Sequence, residues 1–369
     1  MLAELERHPN AGAVLGPAVA AGGRPSHAYL FHGPGGAGKR AAARAVAAEL
    51  LAEGAPDPDF ARARARGGSH PDLTWVSPSG AHEILVSDID GPVIAAASKT
   101  PFEAARRVFV IESVDQLGDE AANRMLKTLE EPARFVHLIL ITDRLADVLP
   151  TIRSRCQIVR FDAPAIEEIA AELEAGGTPG ETAVACARLS LGDAGRAREL
   201  ATPEGVALRD AAEGYVRAAL SGSSASSALW AALLGSVKAR GERLALELED
   251  SASAELDLLP RKERKRAETE WSDRIRRGRR RVETAALDLA LSLVAVWLLD
   301  LAALAWGADD LVRNVDRMER LAEDAGRDPQ RLRRGAELVE DTRLRLPLNV
   351  GEELACEALA YRLEQLLAR

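Results

Sequence analysis

Over the first 163 residues, short runs of consecutive apolar positions alternate with stretches whose apolar residues recur every three or four. The runs are Ala28-Tyr29-Leu30-Phe31, Arg107-Val108-Phe109-Val110-Ile111 and Val136-His137-Leu138-Ile139-Leu140-Ile141. A strand with one wet face alternates apolar and polar, so unbroken runs predict strands covered on both faces. Between them, RAAARAVAAELL (residues 40–51) and GDEAANRMLKTLEEP (residues 118–132) carry helical spacing, and Pro132 ends the second. Strand, crossover helix and strand together predict a parallel sheet with helices on its faces. Ligands of such sheets bind at the carboxyl ends of the strands.

From about Ala163 onward the pattern changes, and no strand is expected. IEEIAAELEAGG, ETAVACARLSLG and DAGRARELA read as three short helices, a small module over residues 164–205. Residues 206–369 keep helical spacing through long segments such as ETAALDLALSLVAVWLLDLAALAWG. Within them, EDSASAELDLLPRKERK is the expected flexible connection. Ala285 to Trp306 is apolar enough to raise the question of a membrane span. Asp288 and Asp300 interrupt it, and an unpaired carboxylate in hydrocarbon costs about 2.5 kcal/mol or more, so a buried helix is expected and no membrane partner.

Composition narrows this only a little. The 369 residues are 47% hydrophobic and 4% aromatic, and the three cysteines are scattered and odd in number, which argues against a disulfide scaffold. The N-terminus lacks an apolar run of signal-peptide length, so a cytoplasmic protein is expected. Net charge is −9, yet residues 261–281 hold eleven basic and four acidic residues. Such a block suits either DNA phosphates or a salt-bridge-laced helix, and the second is the commoner fate.

The candidate chemistry begins at HGPGGAGKR, residues 32–40. Gly33, Gly38 and Lys39 have the spacing of a phosphate-binding loop, but Arg40 stands where a Ser or Thr hydroxyl should ligate Mg²⁺. At the end of the next long strand, Glu112 takes the place of the metal-binding Asp. Ser113 takes that of the water-activating Glu. A positioned general base is worth roughly 10²- to 10⁴-fold, and serine has no basicity near neutral pH. Thr142 ends the following strand and suits a sensor of the terminal phosphate. All three departures fall on metal and water handling, while the phosphate-binding residues are kept. The sequence leaves open whether ATP or ADP is held without hydrolysis or whether this is a Gly-rich turn with no ligand.

ANRMLKTLEEP (residues 122–132), followed by IRSRCQIVRF (residues 152–161), strongly resembles the clamp-loader branch of the AAA+ ATPases. The resemblance implies an α/β N-terminal P-loop AAA+ domain over residues 1–163, a helical lid over 164–205 and an all-α C-terminal collar over 206–369. It implies that Arg155 of the Ser154-Arg155-Cys156 triplet reaches in trans into a neighbouring subunit's ATP site. It also implies a hetero-oligomer with gamma/tau and delta clamp-loader subunits, which meets the sliding clamp and primer-template DNA within a replicative polymerase complex. The degenerate positions point away from the gamma/tau motor and towards a stator with little chemistry of its own. A catalytically active gamma/tau-like ATPase is the alternative, and a small-molecule kinase of the P-loop class is a weaker one. SHPDL (residues 69–73) and LPLNVGEELACEALAYRLEQLL (residues 346–367) also resemble this branch. Two departures stand out. Members commonly carry four zinc-binding cysteines before the SHPD stretch, where this chain has only His70, so no zinc is expected. The lid arginine of the motors corresponds to Gly195, beside Arg196, so its phosphate contact is expected to be missing.

Overall fold

A computed structural model describes residues 2–20, 22–78, 84–258, 260–346 and 351–368. The chain divides into two units, 1–164 and 165–369.

The first unit is built on a five-stranded parallel sheet: β1 (Ala28–His32), β2 (Leu73–Val76), β3 (Arg107–Ile111), β4 (Val136–Thr142) and β5 (Gln157–Arg160). The spatial order is β2-β3-β4-β1-β5, so the first strand lies between the last two. The three apolar runs of the sequence are β1, β3 and β4, the inner strands, and they are covered on both faces as expected. Tyr29, Phe31, Val108, Val110, Ile139 and Ile141 point to one side, where α1 (Pro9–Val19), α2 (Lys39–Ala52) and α3 (Pro58–Gly67) pack. Leu30, Phe109, Ile111, Leu138 and Leu140 point to the other, against α4 (Val86–Ile89) and α5 (Asp119–Glu130). Between β4 and β5 lies the short α6 (Pro150–Arg153).

The SHPDL stretch enters β2 and explains itself mechanically. Asp72 is fully buried, and its carboxylate accepts N–H bonds from Phe102 (2.7 Å), Glu103 (3.0 Å) and Ala104 (3.0 Å), pinning the loop that leads into β3. Burial raises its pKa, but the N–H groups of Glu103, Ala104 and Phe102 together more than offset this and hold the carboxyl below its usual range. His70 Nδ1 accepts from the Asp72 N–H at 3.1 Å, and its Nε2 lies 3.4 Å from Glu103.

Among its described residues the second unit is all helix: α7 (Ile166–Ala175), α8 (Gly180–Leu189), α9 (Ala194–Ala201), α10 (Pro203–Ser221), α11 (Ser224–Ser227), α12 (Leu229–Leu258), α13 (Arg261–Ala305), α14 (Met318–Glu323), α15 (Pro329–Arg345) and α16 (Glu352–Leu367). One apolar core runs through it from Ile169 to Leu367, so the helices of residues 164–205 share their packing with those that follow. Among its described residues, the expected flexible connection is helical on both sides of residue 259, which lies outside the described ones. α12 continues to Leu258, and Pro260 caps α13 with the fixed φ that suits a helix start. Ser and Asp in a helix compete for backbone hydrogen bonds, which makes such a segment read as a loop. Here the two helices pack along each other. A Cβ at Gly241 of α12 would meet Glu283 of α13 at 2.5 Å, so glycine allows the approach.

The apolar part of α13 is long and hydrophobic enough, by length and composition, to cross a bilayer. Both acids that interrupt it have partners within the unit. Asp288 receives a two-pronged contact from Arg343 at 2.9 Å for each prong. Asp300 is buried and accepts the Arg313 and Asn314 N–H groups and the Asn314 side-chain amide. In the C-terminal stretch flagged by sequence, Glu352–Leu367 is helical, and residues 347–350 lie outside the described ones.

Candidate functional site

Parallel strands bring their carboxyl ends to one edge, and β1, β3 and β4 deliver the phosphate-type loop, Glu112 and Thr142 there. After His32 the chain turns through Gly33, Gly36 and Gly38, with φ of 150°, 71° and 77°. At Gly33 a Cβ would stand 2.1 Å from the Phe161 carbonyl oxygen, so the turn admits no side chain. Gly38 caps α2 in the left-handed region, and Lys39 is the first residue of that helix. The Lys39 ammonium is buried. It donates to the carbonyls of Gly33 (2.6 Å) and Pro34 (2.5 Å) and lies 2.7 Å from the Asp143 carboxylate.

Arg40 and Glu112, two separate departures in the sequence, meet in space. The Arg40 guanidinium donates to Glu112 Oε2. The same oxygen accepts the Ser77 hydroxyl at 3.1 Å, and Glu112 Oε1 accepts the Trp75 indole N–H at 2.7 Å. Glu112 is 4% exposed, and three donors occupy its two oxygens. Trp75 was not foreseen. It lies on β2, which pairs with β3 so that Trp75 is level with Val110, and Arg44 stacks over its ring at 4.7 Å. The divalent cation of a working ATPase therefore does not fit these residues. Its carboxylate ligand is committed to donors, and a guanidinium stands beside it.

The remaining positions are committed as well. Thr142 donates its hydroxyl to Asp115 at 2.7 Å and accepts the Arg144 N–H at 3.0 Å, while the Arg144 guanidinium closes on the other Asp115 oxygen at 3.1 Å. Asp115 is thus Thr142's partner. Ser113 leaves β3 with φ of 54°, a left-handed turn that starts a short 3₁₀ segment.

Arg155 sits on the opposite edge. Its triplet precedes β5, and Gln157 of β5 is level with Tyr29 while Arg160 is level with His32. The triplet is therefore at the amino end of the strands, and the phosphate-type loop is beyond the carboxyl end. The three steps from Tyr29 to His32 alone span roughly 10 Å. Each member of the triplet has a physical task. Ser154 Oγ donates to the Thr151 carbonyl at 3.1 Å, Cys156 packs against the core, and Arg155 is a third exposed. The Arg155 guanidinium donates to the Thr151 carbonyl (2.8 Å), to Ser154 Oγ (3.3 Å) and to Glu130, the first Glu of LEEP at the end of α5. The two motifs that carry the resemblance thus touch through one ion pair.

In the basic block, several of the described cations have intramolecular partners. Arg276 pairs with Asp273, Arg279 with Glu283 and Glu242, Arg280 with Glu352, and Arg274 lies over the Trp271 ring. The side chains of Arg261, Lys262 and Arg266 lie outside the described residues. In the second unit, Gly195 and Arg196 fall in the first turn of α9, where Asp193 caps the Arg196 N–H.

A glycine loop on the first strand of a parallel sheet, an acid and a threonine closing two neighbouring strands, and a Ser-Arg-Cys arginine at the far edge form the arrangement that the resemblance to the clamp-loader branch of the AAA+ ATPases implies. Here its metal and water positions are replaced. Residues 14–165 match the family model described as DNA polymerase III, delta subunit. Over 142 residues the chain is 39% identical to the DNA polymerase III subunit delta' of Bacillus subtilis and 37% identical to that of Pseudomonas aeruginosa, each match covering 37% of this chain and 43% of the relative. It is also 39% identical over 145 residues to subunit tau of Bacillus subtilis, covering 37% of this chain and 24% of tau. Over its N-terminal unit the chain is similar to the DNA polymerase III delta-prime subunits. It spans less than half the length of these relatives.

Proposed function

We propose that the chain serves as the delta-prime subunit of a DNA polymerase III clamp loader in the cytoplasm. It acts as a stator that supplies Arg155 to the ATP site of a neighbouring motor subunit. The assembly then holds gamma/tau and delta subunits and carries the sliding clamp to primer-template DNA. One observation carries the reading: Arg155 is partly exposed on the strand edge opposite the chain's own phosphate-type loop, so it cannot serve that loop.

The chemistry asks little else of the donor subunit. Charge builds on the oxygens of the transferring phosphoryl group, and a planar guanidinium matches two of them at once. Thr151 and Ser154 orient the Arg155 head from its own turn, which limits the rotamers lost when it meets a phosphate. Glu130 neutralises the cation while no phosphate is present, and it is the contact to be exchanged on assembly. At the chain's own loop, Gly33, Gly38 and Lys39 are the residues that would hold ATP or ADP. Glu112 and Ser113 supply neither a free metal ligand nor a base, so no hydrolysis follows.

The similarity to tau favours the alternative, a motor with its own turnover. ATP hydrolysis by the purified chain alone separates the two. No turnover above a Lys39→Ala control is expected, whereas turnover that Lys39→Ala abolishes, with no partner present, would reject the stator.

A further inference from the structure

We infer that Arg40 does the work of the divalent cation: the Arg40–Glu112 pair is an internal replacement for Mg²⁺, and the phosphate-type loop is a metal-free site. Any polyphosphate this loop accepts, a nucleoside diphosphate being the natural size, is taken without a divalent ion. The inference depends on the loop reading but not on the role of Arg155, and an Arg155→Ala change leaves its readouts where they are.

The argument starts from Glu112. A buried carboxylate needs a counter-charge and hydrogen bonds, or folding must carry its desolvation cost. In a working site the metal supplies that charge, together with a loop hydroxyl. Here the position of the hydroxyl holds Arg40, whose side chain is 64% exposed but whose guanidinium reaches the 5%-exposed Glu112 carboxyl. Trp75 and Ser77 take the lone pairs that a metal shell would have used. The extra methylene of Glu, relative to Asp, lets the carboxyl reach these three donors from the end of β3. The two departures are thus one exchange, a salt bridge for a metal. They should behave as a unit, because a substitution at one is meaningful only with the other. Lys39 repeats the pattern at smaller scale, its charge answered by Asp143 and two loop carbonyls.

Two measurements on the full chain test this. In the first, melting temperature is followed with ADP in excess Mg²⁺ and, separately, with ADP in EDTA. Two positive and equal shifts are expected, and the absence of a shift in both arms would overturn the reading of the loop as a polyphosphate site. A shift that requires Mg²⁺ overturns the inference. In the second, Arg40→Met, Glu112→Gln and the double variant are melted side by side. Arg40→Met strands a buried carboxylate and should lower the melting temperature by several degrees, and adding Glu112→Gln should recover most of that loss. Additive losses would show that the guanidinium is not the counter-charge of Glu112. The first measurement uses the unaltered chain and stands even if Arg40→Met fails to fold.

Discussion

Arg155→Ala in the reconstituted loader is expected to slow ATP hydrolysis at the neighbouring site about 10³- to 10⁵-fold, the range an arginine finger supplies. Steady-state turnover of the whole assembly falls less, to whatever its other interfaces deliver. Stability should barely change, because Arg155 is a third exposed and its contacts are to Thr151, Ser154 and Glu130 at the surface. Lysine at this position is no substitute, since a compact ammonium cannot make the paired contacts of a guanidinium. Single-turnover phosphate release, with complex formation checked by gel filtration, separates a lost finger from a lost interface.

Asp72→Ala is expected to be the most damaging single change to the first unit. It strands three N–H groups, those of Phe102, Glu103 and Ala104, inside a buried turn. Each unsatisfied donor costs about 1–3 kcal/mol, and the three share one site, so about 3 kcal/mol or more is expected in total. For a unit of this size that lowers the melting temperature by roughly 6–12 °C. The pH dependence has a definite sign. Asp72 is held below its usual value, so its contribution is complete above an unfolded pKa of about 3.9 and is lost as pH falls through the lower folded value. The stability gap between wild type and Asp72→Asn should therefore narrow in acid. A gap that widened there would mean the carboxylate is not the acceptor that matters.

Much of this was legible in the residue pattern, and what was missed has physical causes. β1, β3 and β4 are inner strands buried on both faces, so they appear as unbroken apolar runs. β5 is an edge strand of four residues with only Val159 buried, and its polar outline hides it. β2 is the other edge, again four residues, and losing it meant losing Trp75. Arg40 and Glu112 stood out as departures from spacing, but 72 residues separate them, and only the sheet brings them together. Glu130 and Arg155 lay inside the two motifs that carried the resemblance. Their contact depends on α5 returning the chain to the amino edge before β4, which spacing alone does not reveal. The connection between α12 and α13 was misjudged because Ser, Asp and Pro resemble a loop until a facing helix makes the segment worth ordering.

The proposed function rests on a division of labour in which this chain's arginine serves another subunit's ATP while its own loop turns nothing over. Single-turnover hydrolysis in the reconstituted loader, run in parallel with Lys39→Ala and Arg155→Ala forms of this chain, tests it most directly. Lys39→Ala should leave the rate at the neighbouring site unchanged and Arg155→Ala should collapse it. The reverse order, with Lys39 essential and Arg155 dispensable, would contradict the account.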